Sequence, residues 1–209
     1  MRARRRRSSE PRTAGSGTVV WLDALDLPVV YLLEAFYCLD GKPQTVHNQP
    51  DASQTRYRRS GLLPYTVING PRNAYSLRRF PWKETRAALG DMAGVTDASE
   101  IVLLAYVNLG TGLECLRIPR FSAIMLRPGE TIRPVRHSAS AVLHVVDGEG
   151  EAQLDGAMLR WSNQDTVAVA THSGIEIVNR STAAPAILFQ VDEAPMQRKL
   201  RLYEESDRL

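Results

Sequence analysis

The sequence has few of the features that define several large classes of protein. Its 209 residues include only two cysteines, Cys38 and Cys115, and these form no Cys-x-x-Cys pair. Neither a disulfide framework nor a thiolate metal cluster is therefore predicted. No run of about 18 apolar residues exists, and no apolar stretch follows the basic start, so neither a membrane span nor a secretory signal is expected. These absences predict a cytoplasmic protein with reduced thiols.

Positive charge is concentrated in one short segment. The net charge is +3, but residues 1–12 hold six arginines and one acid, which leaves 20 basic and 22 acidic residues in the remainder. The first 17 residues contain no aromatic side chain that could stack on a base and are rich in Ser, Gly, Pro and Thr. We therefore expect residues 1–17 to be a basic disordered tail, and neither nucleic-acid nor membrane binding is predicted.

The next segment, residues 18–95, has mixed character. Residues 27–38 carry apolar side chains at helical spacing with Pro28 near the start, which predicts a helix. Because this helix is almost wholly apolar, we expect it to be buried against something larger. A second helix is predicted over residues 81–89, with Gly90 as its stop. These features indicate a partly helical connector that packs on the following domain.

From about residue 96 the hydrophobic pattern changes to short apolar runs separated by turn residues. The pair Asp155-Gly156 lies between two such runs and is the strongest short signal for a β-hairpin. Repeated short strands with turn residues every 8 to 12 positions indicate an all-β sandwich or barrel over residues 96–209. The predicted strands cover residues 101–107, 121–126, 141–146, 151–154, 165–170, 174–178 and 186–191.

Two parts of this region resemble the signatures of the cupin superfamily. The first is Arg-Pro-Gly-Glu at 127–130, followed by Arg-His-Ser at 136–138 and Val-Val-Asp-Gly-Glu-Gly at 145–150, and the second is residues 165–179. The resemblance implies an all-β single cupin, a double-stranded β-helix or jelly-roll barrel, with a partly helical N-terminal extension.

Further segments narrow the resemblance to one cupin family. The chain resembles the connector and C-terminal cupin half of gentisate 1,2-dioxygenase-like proteins, in its segments at 21–30, 80–82, 106–112, 161–165 and 189–204. The resemblance implies a two-cupin parent arrangement in which the first cupin holds iron and cleaves an aromatic ring. The second cupin of the family commonly lacks a metal site. We do not expect the metal-binding cupin within these 209 residues.

Cupins usually bind their metal through His-x-His, a Glu and a second-signature His, which alternate inward on neighbouring strands. Valine, alanine and isoleucine side chains offer no lone pair, and one imidazole alone does not hold iron against water. We therefore expect no bound metal and no cofactor. A set of His137, His172 and Glu176 remains conceivable, although no motif supports it. The four usual ligand positions fall on Val135, His137, Ala141 and Ile175.

The predicted barrel interior is mostly apolar, with few polar groups. His137 is the candidate general acid–base, since histidine is the side chain that ionises nearest neutral pH; the alternative is a relic of an ancestral ligand. Arg133 shares the expected inward phase and could bind an anionic or phenolate group, although a surface position is the alternative. The candidate substrate-binding residues are Arg133, Val135, Ala141, Ile175, His172 and Trp161, the last also being a natural core residue.

Three functional hypotheses follow. The favoured one is a metal-independent enzyme that isomerises, cyclises or similarly tailors an apolar or aromatic small molecule, for example in bacterial secondary metabolism. The second is a non-enzymatic structural or regulatory cupin subunit. The third is a gentisate-like ring-cleaving dioxygenase. The expected partners are a small molecule in the barrel and further copies of the chain, in a homodimer or a larger homo-oligomer.

Overall fold

The computed structural model describes residues 22–35, 65 and 79–206. The predicted basic tail, residues 1–17, lies outside these residues, and so do Cys38 and His47. No helix within the described ranges is long and apolar enough to cross a bilayer.

Three helices and a series of short strands make up the described chain. The helices are α1 (Leu27–Leu32), α2 (Trp82–Val95) and α3 (Ala194–Leu200). The strands are β1 (Val102–Ala105), β2 (Val107–Asn108), β3 (Leu113–Glu114), β4 (Arg120–Leu126), β5 (Thr131–Ile132), β6 (Arg136–His137), β7 (Ala141–Asp147), β8 (Gly150–Leu154), β9 (Ala157–Trp161), β10 (Thr166–Val169), β11 (Ile175–Asn179), β12 (Ala186–Asp192) and β13 (Glu205–Ser206).

Two antiparallel sheets face each other across one core. The five-stranded sheet has the order β1-β4-β12-β7-β10, and the four-stranded sheet has the order β5-β11-β8-β9. Neighbours such as β4 and β12, or β5 and β11, are far apart in the chain, which is typical of jelly-roll connections. Two short ribbons, β6 with β13 and β2 with β3, complete the strand pairing. The predicted all-β cupin fold is therefore confirmed.

The hairpin between β8 and β9 has the turn that the sequence predicts. Its two central residues, Asp155 and Gly156, have φ angles of +46° and +88°. A two-residue turn with positive φ at both positions matches the right-handed twist of the flanking strands. Leu154 accordingly pairs with Ala157 at the end of the ladder.

Alternate side chains of both sheets point inward and fill the barrel. Because the β-strand period is two, the even positions of β4 and β12 and the odd positions of β7 and β11 share this interior. Five large side chains of this interior are at most 2% exposed, and they come from four strands of the two sheets: Ile124, Leu126, Val145, Ile177 and Leu188.

Helix α2 covers the outer face of the five-stranded sheet. Leu89 is fully buried there against odd-numbered residues of β4, and Ala93, one turn later, packs on the same cluster. The predicted stop at Gly90 is wrong, because the helix continues to Val95. Packing of one helix face on the sheet offsets the cost of about 1 kcal/mol that an interior glycine adds.

Helix α1 is shorter and less buried than the sequence predicts. Its last residue is Leu32, Leu33 caps it, and Glu34 adopts a left-handed φ of +51° that ends the helical path. No residue of the helix is buried. The expectation of a buried apolar helix is therefore wrong for residues 27–35, and its remaining predicted residues, 36–38, lie outside the described ranges.

Candidate functional site

Two of the four usual cupin ligand positions lie inside the barrel. Ala141 begins β7 and pairs with Asp192 of β12, while Ile175 begins β11 and pairs with Leu154 of β8. Both side chains pack against the apolar interior cluster. The inward orientation predicted for Ala141 and Ile175 is therefore confirmed. Their suggested contact with a substrate stays a prediction.

The other predicted orientations in the first signature do not hold. Strand β5 ends at the buried Ile132, and the irregular segment that follows interrupts the strict alternation on which the prediction depended. Val135 is 51% exposed. The Arg133 side chain is 72% exposed, and its guanidinium lies 2.5 Å from the carboxylate of Glu176. The inward phase predicted for Arg133 and Val135 is therefore wrong.

His137 lies against the C-terminal strand. It pairs with Glu205 across the β6–β13 ribbon, and its ring centroid is 5.8 Å from that of Tyr203. The Tyr203 hydroxyl donates to Glu205 at 2.7 Å, and the Arg198 guanidinium lies 4.5 Å above the Tyr203 ring. Burial, followed by this hydrogen bond to a carboxylate, raises the pKa of Tyr203. His137 thus belongs to a cluster of aromatic and charged side chains.

One ring nitrogen of His137 is buried without a partner among the described residues. Its Nδ1 atom makes no hydrogen bond to any described residue, and an unmade hydrogen bond of a buried polar atom costs free energy. The adjacent Ser138 fixes this part of the chain, since its N–H donates to Glu204 O and its Oγ accepts from Glu204 N, both at 2.9 Å. The general acid–base role of His137 stays a prediction.

The other described histidines, His144 and His172, do not assemble into a metal site with His137. His172 is exposed at φ +57°, and its backbone N–H donates to His137 O at 2.9 Å. His144 points to the outer face, where its Nδ1 is 3.0 Å from Thr166 Oγ1. Within residues 22–35, 65 and 79–206, no three His, Cys, Asp or Glu side chains are grouped so that they could hold a metal ion. The described donor set of this barrel does not fit the iron that the first cupin of the family is expected to hold.

A buried polar layer closes one end of the barrel interior. Arg120 Nε and Nη2 each lie 2.9 Å from Asp192 Oδ2, and Gln190 Nε2 donates to the same oxygen at 2.9 Å. Asp192 Oδ1 accepts the Ala194 N–H at 3.0 Å. Ser122 is 2% exposed, and its Oγ has no hydrogen-bond partner among the described residues.

The strand register places this polar layer beside Ala141, one of the usual ligand positions that holds no ligand here. Asp192 pairs with Ala141 on one side and with Arg120 on the other, so the three residues form a row across the sheet. The carboxylate accepts from four donor atoms of three residues, which makes it a poor ligand for a cation. We interpret the Arg120–Asp192 pair as a structural brace. Sequence reasoning missed it because its members are 72 residues apart and neither carries a local motif.

Trp161 is a core residue. Its side chain is 4% exposed, and its indole lies over Gly150, its partner across the β8–β9 hairpin. The indole Nε1 is buried with no hydrogen-bond partner in the described part of the chain. The packing explains why a tryptophan is held here, and a role in substrate binding stays a prediction.

Comparison with protein-family models finds no match. Comparison with curated proteins finds similarity to gentisate 1,2-dioxygenase of Ralstonia sp., 38% identical over 191 residues, which covers 91% of this chain and 53% of that protein. It also finds 5-aminosalicylate 1,2-dioxygenase of Comamonas sp., 31% identical over 194 residues, with 90% of this chain and 50% of that protein covered. The chain spans about half the length of the curated relatives that it matches.

Comparison with solved structures agrees on the fold. Salicylate 1,2-dioxygenase from Pseudaminobacter salicylatoxidans superposes with a TM-score of 0.76 at 18% identity, over 87% of this chain and 53% of that chain. The expectation of a metal-independent isomerase or cyclase is wrong, because the relatives are named dioxygenases.

Proposed function

Because this chain is a cupin that resembles one half of gentisate 1,2-dioxygenase-like proteins, we propose that it is the metal-free half of a ring-cleaving aromatic dioxygenase. The observation that carries the proposal is the 38% identity over 91% of the chain to about half of a gentisate 1,2-dioxygenase. The substrate class is a benzoate with a hydroxyl group next to the carboxylate, since gentisate, 5-aminosalicylate and salicylate all share that pattern.

The side chains in this barrel support a division of labour between two cupin halves. Three of the four usual ligand positions hold Val135, Ala141 and Ile175, none of which can donate an electron pair to a metal. Two of these side chains pack into the apolar interior. In this proposal the oxygen chemistry belongs to a metal-bearing partner half, and this half contributes a rigid scaffold.

Oxygen uptake tests the proposal. The full chain would be assayed with gentisate, salicylate and 5-aminosalicylate, with ferrous iron present, alone and mixed with the unmatched half of the Ralstonia enzyme. That half alone is the control. We expect negligible uptake by this chain alone and stimulated uptake in the mixture. Equal uptake with and without this chain, or stoichiometric iron binding and uptake by this chain alone, would contradict the proposal.

A second candidate is a structural or regulatory subunit that takes no part in turnover. The observation that favours it is the filling of the barrel by apolar side chains from both sheets. His137 lies outside that cluster, at the β6–β13 ribbon. This candidate predicts that the His137→Ala variant stimulates the mixture as well as wild type does. Loss of stimulation with retained binding of the partner half would eliminate it.

A further inference from the structure

The last described residues of the chain form a strap that lies over His137. We name residues 202–206 the strap. It follows helix α3, whose C-cap residue Arg201 adopts a left-handed φ of +60°. The chain then runs antiparallel to β6, with Glu205 opposite His137. Of the four usual cupin ligand positions, the position that the strap covers is the one that holds a donor side chain.

A single buried serine anchors the strap. Ser138 is 7% exposed, and its N–H and Oγ contact the carbonyl and the N–H of Glu204, both at 2.9 Å. The same Oγ atom lies 3.2 Å from Leu202 O and 2.5 Å from Gln197 Oε1 of helix α3. Ser138 therefore joins β6, α3 and the strap at one point.

The contact with the imidazole itself comes from Tyr203. The two ring centroids are 5.8 Å apart, and the Arg198 guanidinium lies 4.5 Å from the other ring centroid of this group, that of Tyr203. Arg198 is in turn 3.6 Å from the carboxylate of Glu114. An aromatic ring at this distance shields one side of the imidazole, whose Nδ1 atom is buried with no partner in the described part of the chain.

The strap is held by surface contacts and not by burial in the core. None of its five residues is buried, and Leu202 is 62% exposed. No residue of the strap belongs to the cluster that fills the barrel. Segments with few buried apolar contacts open locally at a lower free-energy cost than the core strands. The strap can therefore detach while the two sheets remain folded.

We propose that the strap is a gate over His137. In the closed state it keeps the imidazole from solvent and solutes, and in the open state it exposes the ring while the barrel stays folded. Arg201 is the hinge, since a non-glycine residue in the left-handed region is a place where a backbone change is readily absorbed. A small molecule reaches His137 only after the strap opens. This gate goes beyond the dioxygenase role and does not depend on it.

Two measurements on the full chain test the gate. In amide hydrogen exchange, we expect the N–H groups of Ser138 and Glu204 to exchange about 100-fold faster than those of Ile124 and Leu188 in the core strands. In the reaction of histidines with diethyl pyrocarbonate, followed by peptide mass spectrometry, the exposed His172 is an internal reference. His137 should react about tenfold more slowly than His172.

Variants show whether the strap is the cause of this protection. Tyr203→Ala removes the ring that covers the imidazole, and Tyr31→Ala, at a side chain 79% exposed on α1, is the matched control. A second pair deletes residues 203–209 or only residues 207–209. We expect the ratio of the His137 rate to the His172 rate to rise about fivefold in Tyr203→Ala and in the longer deletion. Both controls should stay within about twofold of wild type.

The proposal fails on any of four results. His137 could react as fast as His172 in wild type, or its rate could be unchanged in Tyr203→Ala. The amides of Ser138 and Glu204 could exchange as slowly as those of the core, which would make the strap part of the same cooperative unit. Finally, the longer deletion could abolish the protection of the core amides, which would show that the barrel needs the strap in order to fold.

Discussion

Gly150 shows how tightly single positions are packed at the hairpin. A Cβ atom there would overlap the Val178 carbonyl oxygen and the Trp161 ring, whereas a Cβ at Gly90, in the middle of α2, meets nothing within 4 Å. Gly150→Ala should therefore lower the free energy of unfolding by about 2 kcal/mol through overpacking. Gly90→Ala is the matched control and should raise it by about 0.5–1 kcal/mol. Urea unfolding of both variants measures the difference, and equal effects would contradict the packing of Trp161 on Gly150.

The buried pair of Arg120 and Asp192 makes a second prediction. The Asp192 side chain is fully buried and that of Arg120 is 20% exposed. Asp192→Ala leaves the guanidinium without its partner and should cost about 3–5 kcal/mol. The double variant R120L/D192L removes both charges and should recover most of that loss. If the double variant were as unstable as the single one, the loss of stability would not come from the unpaired Arg120 charge.

Glu151 connects its own strand to β9 and to the residue that follows β11. Its carboxylate on β8 accepts from Arg180, beyond β11, at 2.5 and 3.0 Å, and lies 3.8 Å from Arg160 on β9. The Arg180 hydrogen bonds are the main cause that lowers the pKa of Glu151 below its ordinary value of 4.5. Since the site is open to solvent, screening keeps the contribution small.

The sign of the resulting pH dependence follows from the lowered pKa. The unfolded chain binds a proton at Glu151 more readily, so the stabilisation is present above about pH 4.5 and is lost as the pH falls through the folded value. Arg180→Gln should raise the pKa of Glu151 toward 4.5 and flatten the acid limb of stability. Titration of the carboxyl carbon by NMR measures this, with Glu151→Gln as the variant in which the signal is absent. An unchanged pKa in the Arg180 variant would contradict the assignment.

At the scale of elements, the sequence correctly predicted the features that depend on neighbouring residues alone. The Asp155-Gly156 turn and the strands that it joins follow from conformational preference and period-two alternation. The orientation of Arg133 could not be predicted in this way, because the chain leaves the strand after Ile132 and the inward–outward alternation of side chains stops there. The continuation of α2 past Gly90 depends on Leu89 and Ala93 contacting a sheet that forms later in the chain, which no local pattern reveals.

On the scale of the whole molecule, α2 and the barrel should unfold together. Leu89 is fully buried against Val102, Ala123, Met125 and Ile187, whose strands also form the barrel wall. Leu89→Ala should cost about 2–5 kcal/mol and lower the midpoint of the entire transition. Leu103→Ala, at a side chain 47% exposed, is the control and should change stability by about 0.5 kcal/mol at most. Separate midpoints by circular dichroism and tryptophan fluorescence would show that the helix unfolds independently.

The sequence was enough to predict the overall architecture, but it was not enough to predict the reaction. Turn spacing and two signatures predicted the cupin fold, and the ligand positions Ala141 and Ile175 point inward as expected. The isomerase hypothesis was wrong because it assumed that this single barrel carries a complete active site. The similarity to about half of a longer dioxygenase is what supports the proposed role, and no local pattern in the sequence indicates that reaction.

A barrel whose interior is filled by apolar side chains also differs from a metalloprotein in how it folds. Apolar side chains occupy two of the usual ligand positions, Ala141 and Ile175. Folding of this chain therefore does not depend on the supply of a metal ion. In the proposed role, a cell starved of iron would still fold this chain. In that role, iron supply would then limit only the metal-bearing half.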